Sequence, residues 1–358
     1  MVDGPLRLPG VARDGPLRSP CLVIASIRKK HMLSRVADSL YWMSRYLERA
    51  EHSARLIDVN LHQMLDQSSQ DATLRWVQLL DSLHVPPPAN DINDAYNIIQ
   101  ALTFDTSNNA SIIAYIAAAR ENARQVRELI SSEMWEQLNR LFLQVKRTSM
   151  EEVWYTEPHK FLESVKEGIH LFQGITDATM NHSEGWHFIR VGCFIERAAA
   201  TAALLDVHFR VLLEVKQNDV SEPLDYLAWV GLLKSCAAFE AYCKVYTATM
   251  SPRNIAEFLL LGAESPRSVR FAAAMMQVAL QAIARWTNTR HAGRAERLAG
   301  RLRAAFDYDQ IEEIMSSNLH AYLENIQRQC THINNAIYQA YIAYPIDVAL
   351  STRGASQA

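Results

Sequence analysis

The chain has 358 residues, 49% of them hydrophobic and 21% charged, with a formal net charge of -3 and a sequence pI of about 6.5. That is ample material for a core, in one large domain or two ordinary ones. The slight acidity argues against a general binder of nucleic acid or anionic membrane, and no apolar run approaches the roughly 18 residues of a membrane span.

Residues 1–31 are rich in Gly, Pro and Arg and lack periodicity, so they read as a disordered arm or an extended start. The apolar run Cys21 to Ile27 is followed, not preceded, by Arg28-Lys29-Lys30, the reverse of a signal peptide. From Met32 onward helical periodicity dominates and hairpin signals are scarce. Helices are expected over 33–67, 71–83, 91–102, 109–144, 147–167, 183–216, 224–248, 252–260, 267–287, 290–305 and 308–342. Pro86-Pro87-Pro88, the polar stretch 105–109, Ser221-Glu222-Pro223 and Ser251-Pro252 mark breaks. Ser251 and Ser265 each precede a proline, which suits a cap followed by proline in the first turn. Residues 346–358 read as a disordered tail. The five cysteines (Cys21, Cys193, Cys236, Cys243, Cys330) are odd in number and show no CxxC spacing. They read as buried free thiols in a reducing, cytoplasmic setting.

The chain also repeats itself. Glu48-Arg49-Ala50 recurs as Glu196-Arg197-Ala198, and at that offset of 148 Ala54/Ala202, Leu56/Leu204, Asp58/Asp206 and Val59/Val207 also match. Leu74-Arg75-Trp76-Val77 matches Leu227-Ala228-Trp229-Val230 at an offset of 153, and Asn109-Ala110-Ser111-Ile112 aligns with Pro266-Arg267-Ser268-Val269 at 157. Three blocks in one order point to tandem duplication. The expected fold is all-α, a duplicated helical bundle with related halves of about 150 residues, 32–168 and 169–345, packed together. Two units are too few for a solenoid.

On a helical wheel Tyr41, Arg45, Glu48, His52, Arg55 and Val59 share one stripe, opposite Met43, Leu47, Ala50, Ala54, Ile57 and Leu61. Alone, this reads as a surface helix carrying Arg45–Glu48 and Glu51–Arg55 pairs. The second copy differs. Its apolar stripe is Val191, Ile195, Ala198, Ala202 and Leu205, and the face equivalent to the first copy's polar one is Ile189, Cys193, Ala200 and Ala203. A helix apolar on most sides is buried, so Arg190, Glu196 and Arg197 need partners. Either a structural ion network joins the halves or a functional polar site lies between them. Arg120, Arg124 and Arg127 fall on one face beside Glu121 and Glu128. That row reads as a solvated face or as guanidinium groups for a carboxylate or phosphate. Phosphate-loop, dinucleotide, GxSxG and HExxH motifs are absent. Glu48, Glu51 and His52 have the spacing of half a di-metal carboxylate set, but Ala199 and Ala200 replace Glu51 and His52 in the second copy, which weighs against a metal.

The blocks MLSRVADSLYWMSRYLERAE, ARENARQVRELIS, IERA, WVGLLKSCAAFEAY and SPRNIAEFLLLGAESPRSVRF resemble, in order over 32–345, the alpha-E superfamily of bacterial helical proteins. The resemblance implies an all-helical fold and a link to circularly permuted ATP-grasp proteins, with transglutaminase-like proteases nearby. ATP-grasp enzymes join a carboxylate to an amine through an acyl-phosphate. The implied role is accessory to making or modifying a small peptide or amide, with ATP and Mg on the partner ligase and no cofactor on this chain. On that reading Glu48, Arg49, Glu196 and Arg197 are the catalytic candidates, the glutamates orienting arginines or accepting a proton from the attacking amine. Tyr41, Arg45, His52, Arg55, Arg120, Asn122, Arg124, Arg190, Arg267 and Ser268 would bind a carboxylated peptide. His52 and Cys193 depart from the family pattern, where Asn and Arg often stand. No metal, nucleic acid or membrane partner is expected, and self-association stays open. The first Glu-Arg copy is expected to carry the chemistry or binding and the second to be its buried support. The rival expectation is a non-catalytic scaffold whose Glu-Arg pairs are internal struts.

Overall fold

Apolar side chains at helical spacing decide the architecture. The computed structural model describes residues 32, 34–64, 69–87, 94–217, 223–247, 249–286 and 293–343, and among these the regular structure is helical throughout. The arm expected over 1–31, the tail expected over 346–358 and Cys21 lie outside the described residues. In chain order the helices are α1 (Ser34–Met64), α2 (Ser69–Leu83), α3 (Ala95–Thr103), α4 (Ile112–Gln125), α5 (Ser132–Arg147), α6 (Met150–Tyr155) and α7 (Pro158–Thr179). Then follow α8 (Glu184–Gln217), α9 (Pro223–Ser235), α10 (Phe239–Tyr246), α11 (Pro252–Leu261), α12 (Val269–Trp286), α13 (Arg294–Tyr308), α14 (Ile311–Ser316) and α15 (Leu319–Ile337), which runs into a π-helical turn, Tyr338–Ile342.

Four expected helices are each two. The run 109–144 breaks because Ser131 caps α5, its hydroxyl accepting the Met134 N–H at 3.1 Å. The run 147–167 breaks where Pro158 opens α7, a position that needs no N–H. The run 308–342 breaks at Asn318, which caps α15 through the Ala321 N–H at 3.0 Å. The run 224–248 breaks at Ala237, whose φ of 49° is left-handed. Residue 168, where a half boundary is expected, lies inside α7.

The two longest helices, α1 and α8, form the centre. α4 and α7 pack on α1, as α12 and α15 pack on α8. α5 lies against α4 and α7, as α13 lies against α12 and α15. α2 and α9 cross over: α2 packs on α8 and α9 on α1. Their tryptophans, Trp76 and Trp229, are both buried. After α2, left-handed His84 (φ 57°) precedes a bond from Val85 N–H to Leu80 O at 3.0 Å. After α9, left-handed Ala237 precedes a bond from Ala238 N–H to Leu233 O at 2.8 Å. Both are six-to-one closures of a helix C-terminus.

α1 and α8 run in the same direction. Met32 N–H meets Glu184 at 3.3 Å, Ser44 Oγ donates to Ile189 O at 2.7 Å, and Glu48 meets Arg197 further along. The backbones nearly touch at Gly192, where a Cβ would lie 2.3 Å from Ser44 Oγ and 2.4 Å from Tyr41 O. Leu40, Met43, Leu47, Phe188, Phe194 and Ile195 are buried around this seam, each contributing roughly 1.5–3 kcal/mol of apolar burial. Among the described residues, no helix is long and apolar enough to cross a membrane.

Candidate functional site

The close α1–α8 seam brings the two Glu-Arg motifs together, and each glutamate takes the other motif's arginine. Arg197 donates from Nε to Glu48 Oε1 at 2.6 Å and from Nη2 to Oε2 at 3.0 Å. Arg49 Nε donates to Glu196 Oε1 at 2.7 Å, and Arg45 Nε donates to Glu196 Oε2 at 2.7 Å. Glu48 also accepts from Arg267 Nη1 at 3.3 Å, Cys193 Sγ at 3.2 Å and Gln173 Nε2 at 3.4 Å. Beside it Glu51 accepts from Arg267 at 3.0 and 3.1 Å and from Arg55 Nε at 2.9 Å, with His170 Nε2 at 3.4 Å. Arg45 Nη1 and the Tyr41 hydroxyl each donate to Asn334 Oδ1 at 2.7 Å. Three carboxylates thus share five guanidinium groups.

Electrostatics decides what these carboxylates can do. Burial raises the proton affinity of Glu48, but Arg197 and Arg267 outweigh it and hold the carboxyl below its usual range. Burial acts the same way on Glu196 and Glu51 and is outweighed by Arg45 and Arg49 for the first and by Arg267, His170 and Arg55 for the second. All three are anions at neutral pH with low proton affinity. They are suited to orienting arginines and poorly suited to accepting a proton from an amine.

The geometry corrects the expected asymmetry. α1 does not turn its polar stripe to solvent: Glu48 is 2% exposed and Glu51 1%. The partners of that stripe come from α7, α8 and the segment before α12. Arg45 pairs with Glu196, not Glu48, whereas the expected Glu51–Arg55 pair forms. The expected division into an active first motif and a supporting second one does not describe this network, because the motifs are interlocked.

The remaining candidates spread out. Arg120 donates to Asn139 Oδ1 at 2.7 Å and lies 4.8 Å from the Phe142 ring centre. Asn122 bonds back to Ala118 O at 2.9 Å. Arg124 is exposed and pairs with Glu121 at 2.6 Å. Arg127 lies beyond the end of α4, 5.1 Å from the Trp135 ring centre, which Arg120 also approaches at 5.3 Å, so these two arginines of the expected row meet at one ring while Arg124 pairs with Glu121. Arg190 is engaged with Asp177 at 3.6 Å and with the Phe194 ring at 4.6 Å. Ser268 caps α12 through the Phe271 N–H at 3.1 Å and bonds Gly262 O, steadying the loop that carries Arg267.

A cavity of about 340 Å³ opens on the network between α1, α8, the segment after α2 and the start of α4. Arg49, Glu48, Glu196, His52, Ser53 and Tyr115 line it. Arg49 is the network's most exposed arginine, at 31% against 11–15% for Arg45, Arg55, Arg197 and Arg267. Ser53 Oγ and His52 Nε2 are buried without hydrogen-bond partners. Burial pushes the His52 pKa down to about 4, so its ring is neutral at pH 7. Ser53, Tyr115, Gln173 and Asn334 escaped sequence reasoning as site residues, and Glu51 entered it only as a partner of Arg55 and as a metal-ligand candidate. Asn334 stands 289 positions from Arg45, with no local signal tying the two.

A second polar group flanks the first. Asp58 accepts from Lys166 Nζ at 2.6 Å and meets His159 Nδ1 at 2.8 Å. Asp206, its counterpart at an offset of 148, meets His320 Nδ1 at 2.6 Å. Asp58, His62 and His159 offer metal-ligating atoms within 4.8 Å of one another, although the Lys166 ammonium already occupies the carboxylate.

An uncharacterised protein of Mycobacterium bovis and two of Mycobacterium tuberculosis are each 25% identical over 317 residues, covering 82% of this chain and 34% of theirs. The chain therefore spans about a third of the length of these curated relatives. No solved structure matches. Residues 32–342 match Alpha-E, described as a predicted alpha-helical domain with a conserved ER motif. That span takes in every described helix, so the chain belongs to the Alpha-E family.

Proposed function

We propose that this chain is the accessory helical partner of a circularly permuted ATP-grasp amide ligase, and that it holds a carboxylate-bearing substrate at the cavity between α1 and α8. The product would be a small peptide or amide. The carrying observation is Arg49, a Glu-Arg arginine that reaches the cavity within a network of five guanidinium groups and three carboxylates. Arginine's planar fork suits carboxylate recognition, and low-dielectric walls strengthen the attraction. In this reading Glu196 orients Arg49, Glu48 orients Arg197, and Tyr41 and Arg45 buttress the pair. ATP and Mg belong to the ligase, a transglutaminase-like protease is a further partner, and the work is cytoplasmic. The relatives' length supports a partner: the matched region is 34% of them, so a domain of this kind occurs alongside other sequence.

The reading includes a duplicated bundle, with halves α1–α7 and α8–α15. Its support is the crossed Glu-Arg pairs, the matching packing order, the left-handed turns after α2 and α9, and the Asp58–His159 and Asp206–His320 pairs. Co-expression with a circularly permuted ATP-grasp protein, then mass spectrometry of products formed with ATP and candidate amino acids, tests the function. A complex whose product needs both chains is expected. Failure to associate, with ligase turnover unchanged, would sink it.

One observation favours a second reading, a non-catalytic scaffold. The Glu48 carboxylate is enclosed and saturated by Arg197, Arg267, Cys193 and Gln173, as a strut would be. Arg49 and Glu48 therefore separate the two readings: a strut loses stability first, a binding residue loses activity first.

A further inference from the structure

We infer that the cavity is a pocket for the free carboxylate of an amino acid or short peptide, formed where three alanines, two from α8 and one from the segment before α4, stand at the positions that correspond to three charged residues elsewhere in the chain. This deepens the proposed function and rests on it for the link to a ligase, though not for the binding itself.

The sequence offsets pair Glu51 with Ala199, Arg55 with Ala203, and Arg267 with Ala110. Glu51, Arg55 and Arg267 form one buried ion cluster against Glu48. Ala199, Ala203 and Ala110 all line the cavity against Glu196, the counterpart of Glu48. One location is thus filled by the protein's own ions and its counterpart is open. Space walled by alanines costs stability in a close-packed interior. Polar groups without partners add to that cost, and Ser53 Oγ and His52 Nε2 are two such groups on this wall. A destabilising feature of this kind is what a binding site requires.

The charge balance names the ligand. Arg45 and Arg49 both bond Glu196, which leaves one positive charge in excess beside the cavity. In the filled counterpart the Glu51 carboxylate acts on Arg197, the equivalent of Arg49. A ligand carboxylate near Ala199 would meet Arg49 in the same way, with Ser53 and His52 hydrogen-bonding its next polar group. The volume, about 340 Å³, is at the small end of ligand pockets and fits an amino acid or a peptide end. The cavity shares His84, Val85 and Ala110 with a surface groove of about 630 Å³, which gives a longer peptide a way out.

The test uses the full chain, with L-alanyl-L-alanine and its C-terminal amide as probes in calorimetric titration. Ala199→Glu supplies the carboxylate from the chain itself, and Ala199→Gln supplies similar bulk without charge. The acid is expected to saturate, the amide to bind at least tenfold more weakly, Ala199→Glu to abolish binding, and Arg49→Gln to weaken it at least tenfold. Ala199→Glu should also melt higher than Ala199→Gln. Equal binding of acid and amide, no binding of either, or wild-type binding by Ala199→Glu overturns the inference. The expected binding pattern without any effect on the ligase would remove the proposed function alone. Equal stimulation of the ligase by wild type and Ala199→Glu would remove the pocket and leave the partnership standing.

Discussion

Glu48→Gln asks whether the crossed pairs hold the seam. Glutamine keeps the shape of this 2% exposed side chain and withdraws its charge from Arg197 and Arg267. Arg267 retains Glu51 through two bonds. Arg197 retains only uncharged acceptors, the new amide, Pro266 O at 3.2 Å and Cys193 Sγ at 3.4 Å. Removing one side of a buried ion pair costs about 3–5 kcal/mol, and the remaining amide oxygen offsets about 1 kcal/mol. The net loss is about 2–4 kcal/mol. In a large domain each kcal/mol lowers Tm by roughly 2 °C, so calorimetry should find Glu48→Gln melting roughly 4–8 °C below wild type. Arg49→Gln provides the contrast. Glu196 keeps Arg45, and the lost guanidinium is 31% exposed, so the cost is about 1 kcal/mol or less. Pairing Glu48→Gln with Arg197→Gln should cost less than the sum of the two, because the stranded charge is gone. Equal shifts for Glu48→Gln and Arg49→Gln, or strict additivity of the double variant, would refute the strut argument.

Three further outcomes follow from the geometry. Gly192→Ala places a Cβ against Ser44 Oγ and the Tyr41 carbonyl; the carbonyl is backbone and cannot rotate away, so urea unfolding should show a loss of about 1–3 kcal/mol. Glu48, Glu51 and Glu196 titrate below their ordinary 4.5 in the folded chain, so the unfolded chain takes up protons first as pH falls. Their contribution is complete above about pH 4.5 and is lost below it; Tm measured from pH 7 to 3 should fall there, less steeply in Glu48→Gln relative to its own neutral value. His52 is depressed from 6.5 to about 4 by burial, so between those values the unfolded state again binds the extra proton and stability declines as pH falls. His52→Asn should flatten that decline only in part, since His208 is depressed to about 4 as well.

Much of the fold is legible because α8 is apolar nearly all round and the breaks at 86–88 and Pro252 carry proline. The hidden breaks have different causes. Ser131 and Asn318 are ordinary caps set inside long runs of helix formers, whereas Ala237 takes a left-handed conformation without a glycine to signal it. The wheel of α1 sorted its residues correctly but misjudged the polar side, since Arg197 and Arg267, which enclose it, lie 149 and 219 positions from Glu48. Periodicity reports a face and says nothing of what covers it. The cavity is a subtler case. Ala110, Ala199 and Ala203 look like filler until each is set against the residue at the matching sequence offset, and that comparison needs to know that Arg267, Glu51 and Arg55 meet in space.

In the proposed function Arg49 serves binding while Glu48 serves the scaffold. The most direct measurement is product formation by the ATP-grasp ligase with the Arg49→Gln chain, read beside its melting temperature. At least a tenfold loss of product is expected, with Tm within about 2 °C of wild type. Wild-type product formation, or a loss that only tracks unfolding, would contradict it.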